Sequence, residues 1–575
     1  MENPGRHSLY TWLNTKPDNF FTADYNLQHV LRMYWGADQF EHHQERLAAF
    51  GHTGATTMND AAHINDRIGN HPRLERYTGI GERTEQIEFH PSYHTAGRAA
   101  YESGILSIQS QPGNTLLQSA LFYLLAHNGE MGHACPIACT AGLILVLQQK
   151  AEPMVRERFL PPLLSQDYDQ LQHAAQFLTE VQGGSDVGAN ICRATPIEGQ
   201  PGQWQIHGEK WFCSNINADQ LLMTARPDGA QEGTRGLGLF LVPRQLDDGS
   251  VNHFHIRRLK NKIGTRTMAS AEVDFEGALA YQIGPLEEGF KNAVELVLNT
   301  SRYLNAMACC GLMARALLEA RSYAAHRQAF GHTIDTYTLV QENLAQMATT
   351  TYANLASSCY LANLIDRITT DQATERDQAV HRLLVNLNKY ATSIAATQVI
   401  HRGIEIFGGN GAIEDFSILP RLYRDAIVLE SWEGTHNVLC LQMWRDMEKY
   451  QLHTPFLVHI EAMVSTIQAP SLSDMCEEIR EELGRVRETI GTLLRDKSGQ
   501  AHARRMADIL IVVSQTAYLL HEVDWEIRNG ETSPKRDLLT IYMNQHLRHT
   551  YDPIKDYDYA TRLERIVKGC RTTQN

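Results

Sequence analysis

Apolar residues recur at intervals of three and four through the first part of the chain, as in Leu116, Leu117, Ala120, Leu121, Leu124 and Leu125. This spacing predicts a mainly helical region from about Asp24 to Gln172. Pro161, Pro162 and the polar run Ser165 to Gln170 close it. The period then changes. Trp204 with Ile206, Leu237 to Val242, and Ala271, Val273 and Phe275 form short, alternating or β-rich segments punctuated by Gly and Asp, which predict a small β domain. Helical spacing returns after Gly289 over Phe290 to Tyr323, Leu339 to Ile368, Gln378 to Phe407 and Ser431 to Leu452, each long enough for a bundle helix. The breaks between them carry Gly331, Gly408, Gly409, Gly411 and Pro420. From Thr454 and Pro455 to Lys568 the pattern is helical again, with acidic and basic residues in similar number. The expected organisation is an N-terminal helical domain (1–175), a middle β domain (176–286), a helical bundle (287–450) and an appended helical domain (451–575). No internal repeat is evident, which argues against a solenoid.

A chain of 575 residues, 43% hydrophobic and 21% charged, is long enough to bury several cores. Its net charge of −14 disfavours non-specific binding to phosphate backbones or anionic lipid. The ten cysteines form no CxxC pair, although Cys135 lies near Cys139 and Cys309 adjoins Cys310, so free, mostly buried thiols in a reducing compartment are expected. Met1 to Lys16 lacks a secretory apolar region, Arg571 to Asn575 gives no peroxisomal or lipidation signal, and runs such as Leu143 to Leu147 are far short of a membrane span. A cytoplasmic location is the resulting expectation. No HExxH or regular His/Cys set appears, His42 and His43 read as surface helix residues, and no metal is expected. The absence of GxSxG argues against a serine hydrolase.

Three segments stand out chemically. In Phe177 to Asp186, two glycines followed by a hydroxyl let backbone amides approach a ligand, with Thr179 and Ser185 as polar anchors, although GGSD alone reads as a plain turn. Glu209 to Asn215 ends a strand-like run with aromatic and hydroxyl groups suited to a flat ring, or to a core edge. Ile406 to Gly411 follows a helix-like segment and lacks GxGxxG spacing, so it is no dinucleotide fingerprint, and helix capping is its plain reading. It leads through Leu419 to Ala426 to Trp432 and Glu433.

In this order and spacing the segments resemble the acyl-CoA dehydrogenase family. The matches are TExxGGSD at Thr179 to Asp186, KWFxSN at Lys210 to Asn215, KxGxR at Lys262 to Arg266, Glu288 to Phe290 leading to Arg302, HRxxFG at His326 to Gly331, FGGNG with PRLYRDA, and EGT at Glu433 to Thr435. They span roughly residues 90 to 445. Phe89, His90, Pro91 and His94, then Cys135 to Ile137, Pro162 to Ser165 with Tyr168 and Asp169, and Trp432 before the acid are similar to the AidB-like branch, which also carries a helical extension.

The resemblance implies a mainly α, α+β chain of the acyl-CoA dehydrogenase fold: N-terminal helices, a β-barrel-like middle domain, a four-helix bundle and an extra C-terminal helical domain. It implies FAD and the α,β-dehydrogenation of a medium- or long-chain fatty acyl-CoA to the trans-2-enoyl thioester, within fatty acid metabolism. Glu433 would be the base. Phe177, Leu178, Thr179, Gly184, Ser185, Phe212, Cys213, Ser214, Thr435 and Asn437 would contact the cofactor, and Arg327, Phe330, Gly408 and Gly409 would reach it from a neighbouring subunit. Ser185, Arg302 and Trp432 would meet the substrate. A homotetramer built as a dimer of dimers and an electron-transfer flavoprotein acceptor are the implied partners. Glu405 and Thr338 stand where many members carry glutamines near the cofactor, Ala412 replaces an aromatic residue, and Ser301 precedes Arg302, leaving Glu433 without a rival base. The alternatives are an oxygen-using acyl-CoA oxidase and an AidB-type flavoprotein of little turnover that binds DNA or sequesters acyl-CoA. Against DNA binding, Arg495, Lys497, Arg504 and Arg505 lie close in sequence to Glu477, Glu478, Glu481 and Glu482, which reads as a solvated amphipathic face.

Overall fold

The computed structural model describes residues 3–569, so the chain end at Arg571 to Asn575 lies outside the described residues. Helices hold 63% of the chain. Between Asp24, whose side chain caps the helix Tyr25–Thr53 by accepting from the Leu27 amide at 2.9 Å, and Gln172, the expected helices form. They include Pro91–Glu102, Thr115–Ala126, Met131–Lys150 and Pro153–Leu163. A hairpin interrupts them: β1 (Arg73–Tyr77) pairs antiparallel with β2 (Arg83–Glu88). Its strands are so largely exposed that they carry little apolar alternation, which is why sequence spacing passed over them. The expectation that no segment approaches the length of a membrane span needs correction. Met131–Lys150 and the stretch Gly499–Arg528 are long and apolar enough to cross a bilayer, but 83% and 78% of their most apolar windows are buried inside the protein, as in core helices.

The middle of the chain closes into a barrel. Strands β3 (Ala174–Phe177), β4 (Arg193–Pro196), β5 (Gln203–Ser214), β6 (Gln220–Pro227), β7 (Gly238–Pro243), β8 (Phe254–Leu259) and β9 (Ser270–Gln282) share one sheet. Pairing runs β6–β4–β5–β9–β7 and returns from β7 to β6, while β3 adds parallel to β6 and β8 adds to β9. Phe177, Ile206, Cys213, Met223, Phe240, Val273 and Phe275 fill the interior. Strand β6 is buried almost throughout, so it lacks the alternation that marks Trp204 with Ile206 in β5 and Ala271 with Val273 in β9.

Three long helices, Asn299–His326, Thr338–Thr369 and Glu375–Phe407, pack with one another, and His436–Tyr450 packs on the last. Thr374 and Asp377 form a reciprocal capping box that starts Glu375–Phe407. The expected helix Ser431 to Leu452 begins late, because Trp432 to Thr435 form a turn between two helices. Leu419–Ser431 precedes it, with Pro420 in the first turn, where a missing amide costs nothing, and His436–Tyr450 follows. Five further helices, His453–Ser465, Ser473–Leu493, Ala503–Arg528, Lys535–His546 and Tyr559–Gly569, form the C-terminal extension. Ala503–Arg528 lies against both Thr338–Thr369 and His436–Tyr450.

Candidate active site

The turn between Leu419–Ser431 and His436–Tyr450 holds Glu433. Trp432 is extended, Glu433 is left-handed at φ 56°, Gly434 follows at φ 103°, and Thr435 is extended at the start of the next helix. A left-handed glutamate costs about 1 kcal/mol, so the turn must be held from outside. Two buried cations hold it by its carbonyls. Arg302 Nε donates to Glu433 O at 3.0 Å, and Lys389 Nζ donates to Glu430 O at 3.0 Å and Gly434 O at 2.9 Å. Arg302 also donates to Asn386 at 2.9 Å and Gln442 at 3.2 Å, so it is no helix-surface arginine and its guanidinium serves the turn. Burial pushes the Lys389 amine down to about 8 and Arg302 to about 10.

The Glu433 carboxylate is unevenly satisfied. Oε1 accepts from Gln176 Nε2 at 2.8 Å, while Oε2 is buried with no partner among the described residues. Burial raises the acid to about 7, against the opposing influence of Arg302, Lys389 and the Gln176 bond. A buried oxygen with free lone pairs and an affinity for protons near neutrality is suited to accepting one.

Glu433 and Trp432 close one end of an apolar cleft with room for about one water molecule. Helix Met131–Lys150 contributes Ala134, Cys135, Ala138 and Cys139, small residues at the four-residue spacing that puts them on one face. Ser301, Asn305 and Ala308 oppose them, and Phe122 and Met131 also line the cleft. The Trp432 indole donates to Asn305 Oδ1, which fixes the ring as a wall. The cysteines are free, with Cys135 and Cys139 sulfurs 3.9 Å apart.

Strand β3 links this base to a second face: Gln176 touches Glu433, and Phe177, Leu178 and Thr179 follow it. The Trp211 amide donates to Thr179 O at 3.0 Å, and Lys210 and Glu180, both buried, pair at 2.8 Å, so the two motif segments are bolted together. A Cβ on Gly184 would lie 2.5 Å from Thr179 Oγ1, so only glycine permits that close approach. On this face Phe212 is 55% exposed, with Ser214 on the same side of β5 and Ser185 exposed nearby in sequence to Thr179. An outward aromatic ring beside hydroxyls and a close-packed glycine turn fits a flat, phosphate-bearing cofactor. Phe177 and Cys213 are corrections: both side chains are fully buried in the barrel core, which leaves only their backbones for a ligand.

The remaining candidates are dispersed. Thr435 is exposed at the helix start, but Asn437 Oδ1 is occupied by Arg504 at 2.6 Å, so its side chain serves the C-terminal extension. Arg327 and Phe330 follow the far end of Asn299–His326, roughly 35 Å along the helix from Arg302 at 1.5 Å per residue. Phe330 is 96% exposed on the hairpin of β10 (Gln328–Ala329) and β11 (His332–Thr333). Gly408 ends Glu375–Phe407 at φ 60°, and a Cβ on it or on Gly409 would meet nothing within 4 Å. Glu405 and Thr338 are exposed. Gln176, Lys389, Asn305 and Asn386 escaped the sequence reading. Of these only Lys389, a lone charge within a buried stretch of helix, left a signal.

Comparison with known proteins places these elements in a family context. The profile of the adaptive response protein AidB N-terminal domain matches residues 13–170, that of the acyl-CoA dehydrogenase middle domain residues 175–278, and that of the acyl-CoA dehydrogenase C-terminal domain residues 287–448. The chain is 32% identical to acyl-CoA dehydrogenase family member 11 of Caenorhabditis elegans over 65% of its own length and 62% of that protein's. It is also 32% identical to the putative acyl-CoA dehydrogenase AidB of Escherichia coli K12, over 66% of its own length and 70% of that relative. The solved structure of Caenorhabditis elegans ACDH-11 in complex with C11-CoA superposes with a TM-score of 0.84 at 25% identity, covering 91% of this chain and 90% of that one.

Proposed function

The chain belongs to the acyl-CoA dehydrogenase family, and from that premise we propose that it oxidises a medium- or long-chain fatty acyl-CoA to the trans-2-enoyl thioester. The cofactor is FAD, which when bound supplies the acceptor for the hydride leaving the β-carbon. Phe212, Ser214, Ser185, Thr179 and the Gly184 turn would hold it. The observation that carries the reading is the bare, buried Oε2 of Glu433 at the end of an apolar cleft. Oε2 takes the α-proton of the substrate. Gln176 fixes the other oxygen, Arg302 and Lys389 hold the turn, and the Glu433 amide polarises the thioester carbonyl as charge develops. The apolar walls keep bulk water from the carboxylate. The complex of the nematode relative with C11-CoA supports a medium chain.

The proposed assembly is a homotetramer of paired dimers in which Arg327, Phe330, Gly408 and Gly409 complete the cofactor site of a second copy, and the proposed acceptor is an electron-transfer flavoprotein. Glu433→Gln is expected to leave the yellow cofactor bound while acyl-CoA no longer bleaches it under anaerobic conditions. Unchanged bleaching removes Glu433 as base. A parent protein that binds acyl-CoA without bleaching is instead a sequestering protein, and peroxide formation with oxygen alone makes it an oxidase.

A further inference from the structure

Helix Leu419–Ser431 carries the base at one end, and at its other end lies a cavity of about 540 Å³ that no cofactor or substrate candidate lines. The cavity opens between the first turn of this helix, the loop after Asn59–Asn65, and helix Asn299–His326. Its walls are charged, and most of the charges balance. Arg424 pairs with Asp66 at 2.6 Å and Glu414 at 3.1 Å. Arg315 and Lys16 share the buried Glu319 at 2.9 and 3.4 Å.

Two cations are left over. Arg421, only 7% exposed, donates to the Asn128 carbonyl at 2.7 Å and forms no ion pair among the described residues. Its Nε makes no hydrogen bond. Of the acids that act on it electrostatically, Asp66 acts most strongly but is held by Arg424, and the buried Glu130 and Asp425 are raised by burial to about 7. Arg67, exposed at the rim, likewise forms no ion pair among the described residues. A buried guanidinium that makes no direct ion pair and shares its nearest acid with Arg424 is left short of negative charge. The helix beginning at this wall is capped only by a long bond from the Leu419 amide to Ser417 Oγ at 3.4 Å, and its positive end adds to the attraction for an anion. Asp415, also at the rim, makes no hydrogen bond or ion pair among the described residues and is free to accept from hydroxyls.

We propose that this cavity binds a small phosphate monoester bearing hydroxyls, a sugar phosphate or a nucleoside monophosphate, with its phosphate between Arg421 and Arg67 and a hydroxyl on Asp415. The charge-assisted forks of the arginines hold the phosphate, and a cavity of this size admits a ligand of that class. The site is separate from the acyl cleft and does not depend on turnover.

The test is calorimetric titration of the FAD-loaded full chain with AMP, ribose 5-phosphate, inorganic phosphate and adenosine. Saturable binding of one molecule per chain is expected for at least one monoester and none for adenosine. Arg421→Met should weaken it at least tenfold, about the worth of one charge-assisted bond pair. Arg67→Ala, at an exposed position that leaves the core intact, should weaken it several-fold with unchanged circular dichroism. The proposal is overturned by the absence of saturable binding for both monoesters, by equal affinity in the Arg67→Ala protein, or by inorganic phosphate binding as tightly as either ester.

Discussion

At the scale of single residues, Glu433 has one oxygen fixed by Gln176 and the other buried without a partner among the described residues. With its acid held near 7, kcat/KM should rise with pH through about 7, since only the ionised form accepts a proton. The Gln176 bond favours the ionised form, so Gln176→Leu should move that limb to higher pH. A limb that stays in place would separate Gln176 from the base. Stability carries the opposite sign. The folded chain retains a proton that the unfolded chain loses from about 4.5 upward, so the contribution of Glu433 to stability is complete below about 4.5 and lost as pH rises to about 7. Glu433→Gln should therefore gain in Tm over the parent at pH 8 relative to pH 5, and a Tm difference independent of pH would contradict the buried, raised acid. Glu433 and Arg302 were legible through motifs. Gln176 was not, because it meets Glu433 from 257 positions away and its neighbours in sequence give no hint of that meeting.

At the scale of elements, the active turn depends on carbonyl anchoring more than on its own sequence. Lys389 enters from the middle of Glu375–Phe407 and bonds carbonyls on both sides of Glu433. Lys389→Met should leave two half-buried carbonyls without that donor, destabilise the fold by about 1–3 kcal/mol and lower kcat more than it alters cofactor retention. A variant with normal kcat and reduced denaturation midpoint would make the lysine purely structural. The reading by periodicity succeeded where one face of an element is wet and the other dry, as in β5 and β9. It failed for β6, buried on both faces, for the β1–β2 hairpin, largely exposed, and at Pro420, where a residue that breaks helix interiors begins one. The late start of the helix expected from Ser431 is hidden for a related reason: Trp432, Glu433 and Thr435 keep a helix-compatible pattern, and the backbone conformation from Trp432 to Thr435 interrupts it.

At the scale of the whole molecule, Phe330 stands almost wholly in solvent at φ 51°, far along the bundle from the base. An aromatic ring so placed gains little within one chain. If it covers the cofactor of a second copy, Phe330→Ala should weaken FAD retention about tenfold or more, the worth of a buried phenyl ring, without altering the secondary structure of the chain. Native mass spectrometry of the loaded parent should then show a tetramer, and equal FAD retention in the variant would place the ring elsewhere. The charge pattern of the C-terminal helices is also resolved by contacts: Glu478 pairs with Arg548, Glu482 with Arg485 and His549, and Arg504 reaches Asn437, while Arg495 and Lys497 stay exposed.

The seating of that extension limits how the chain can change. Tyr518 stacks on Tyr360, Gln515 bonds Asn354, Asp508 accepts from Tyr390, and His459 bonds Tyr360, so the bundle helices have fitted their outer faces to a permanent cover. A stop codon before His453 would yield sticky, aggregation-prone helices in place of a shorter enzyme. The cover and the surface beneath it are therefore tied: removing one requires rebuilding the other with polar residues first.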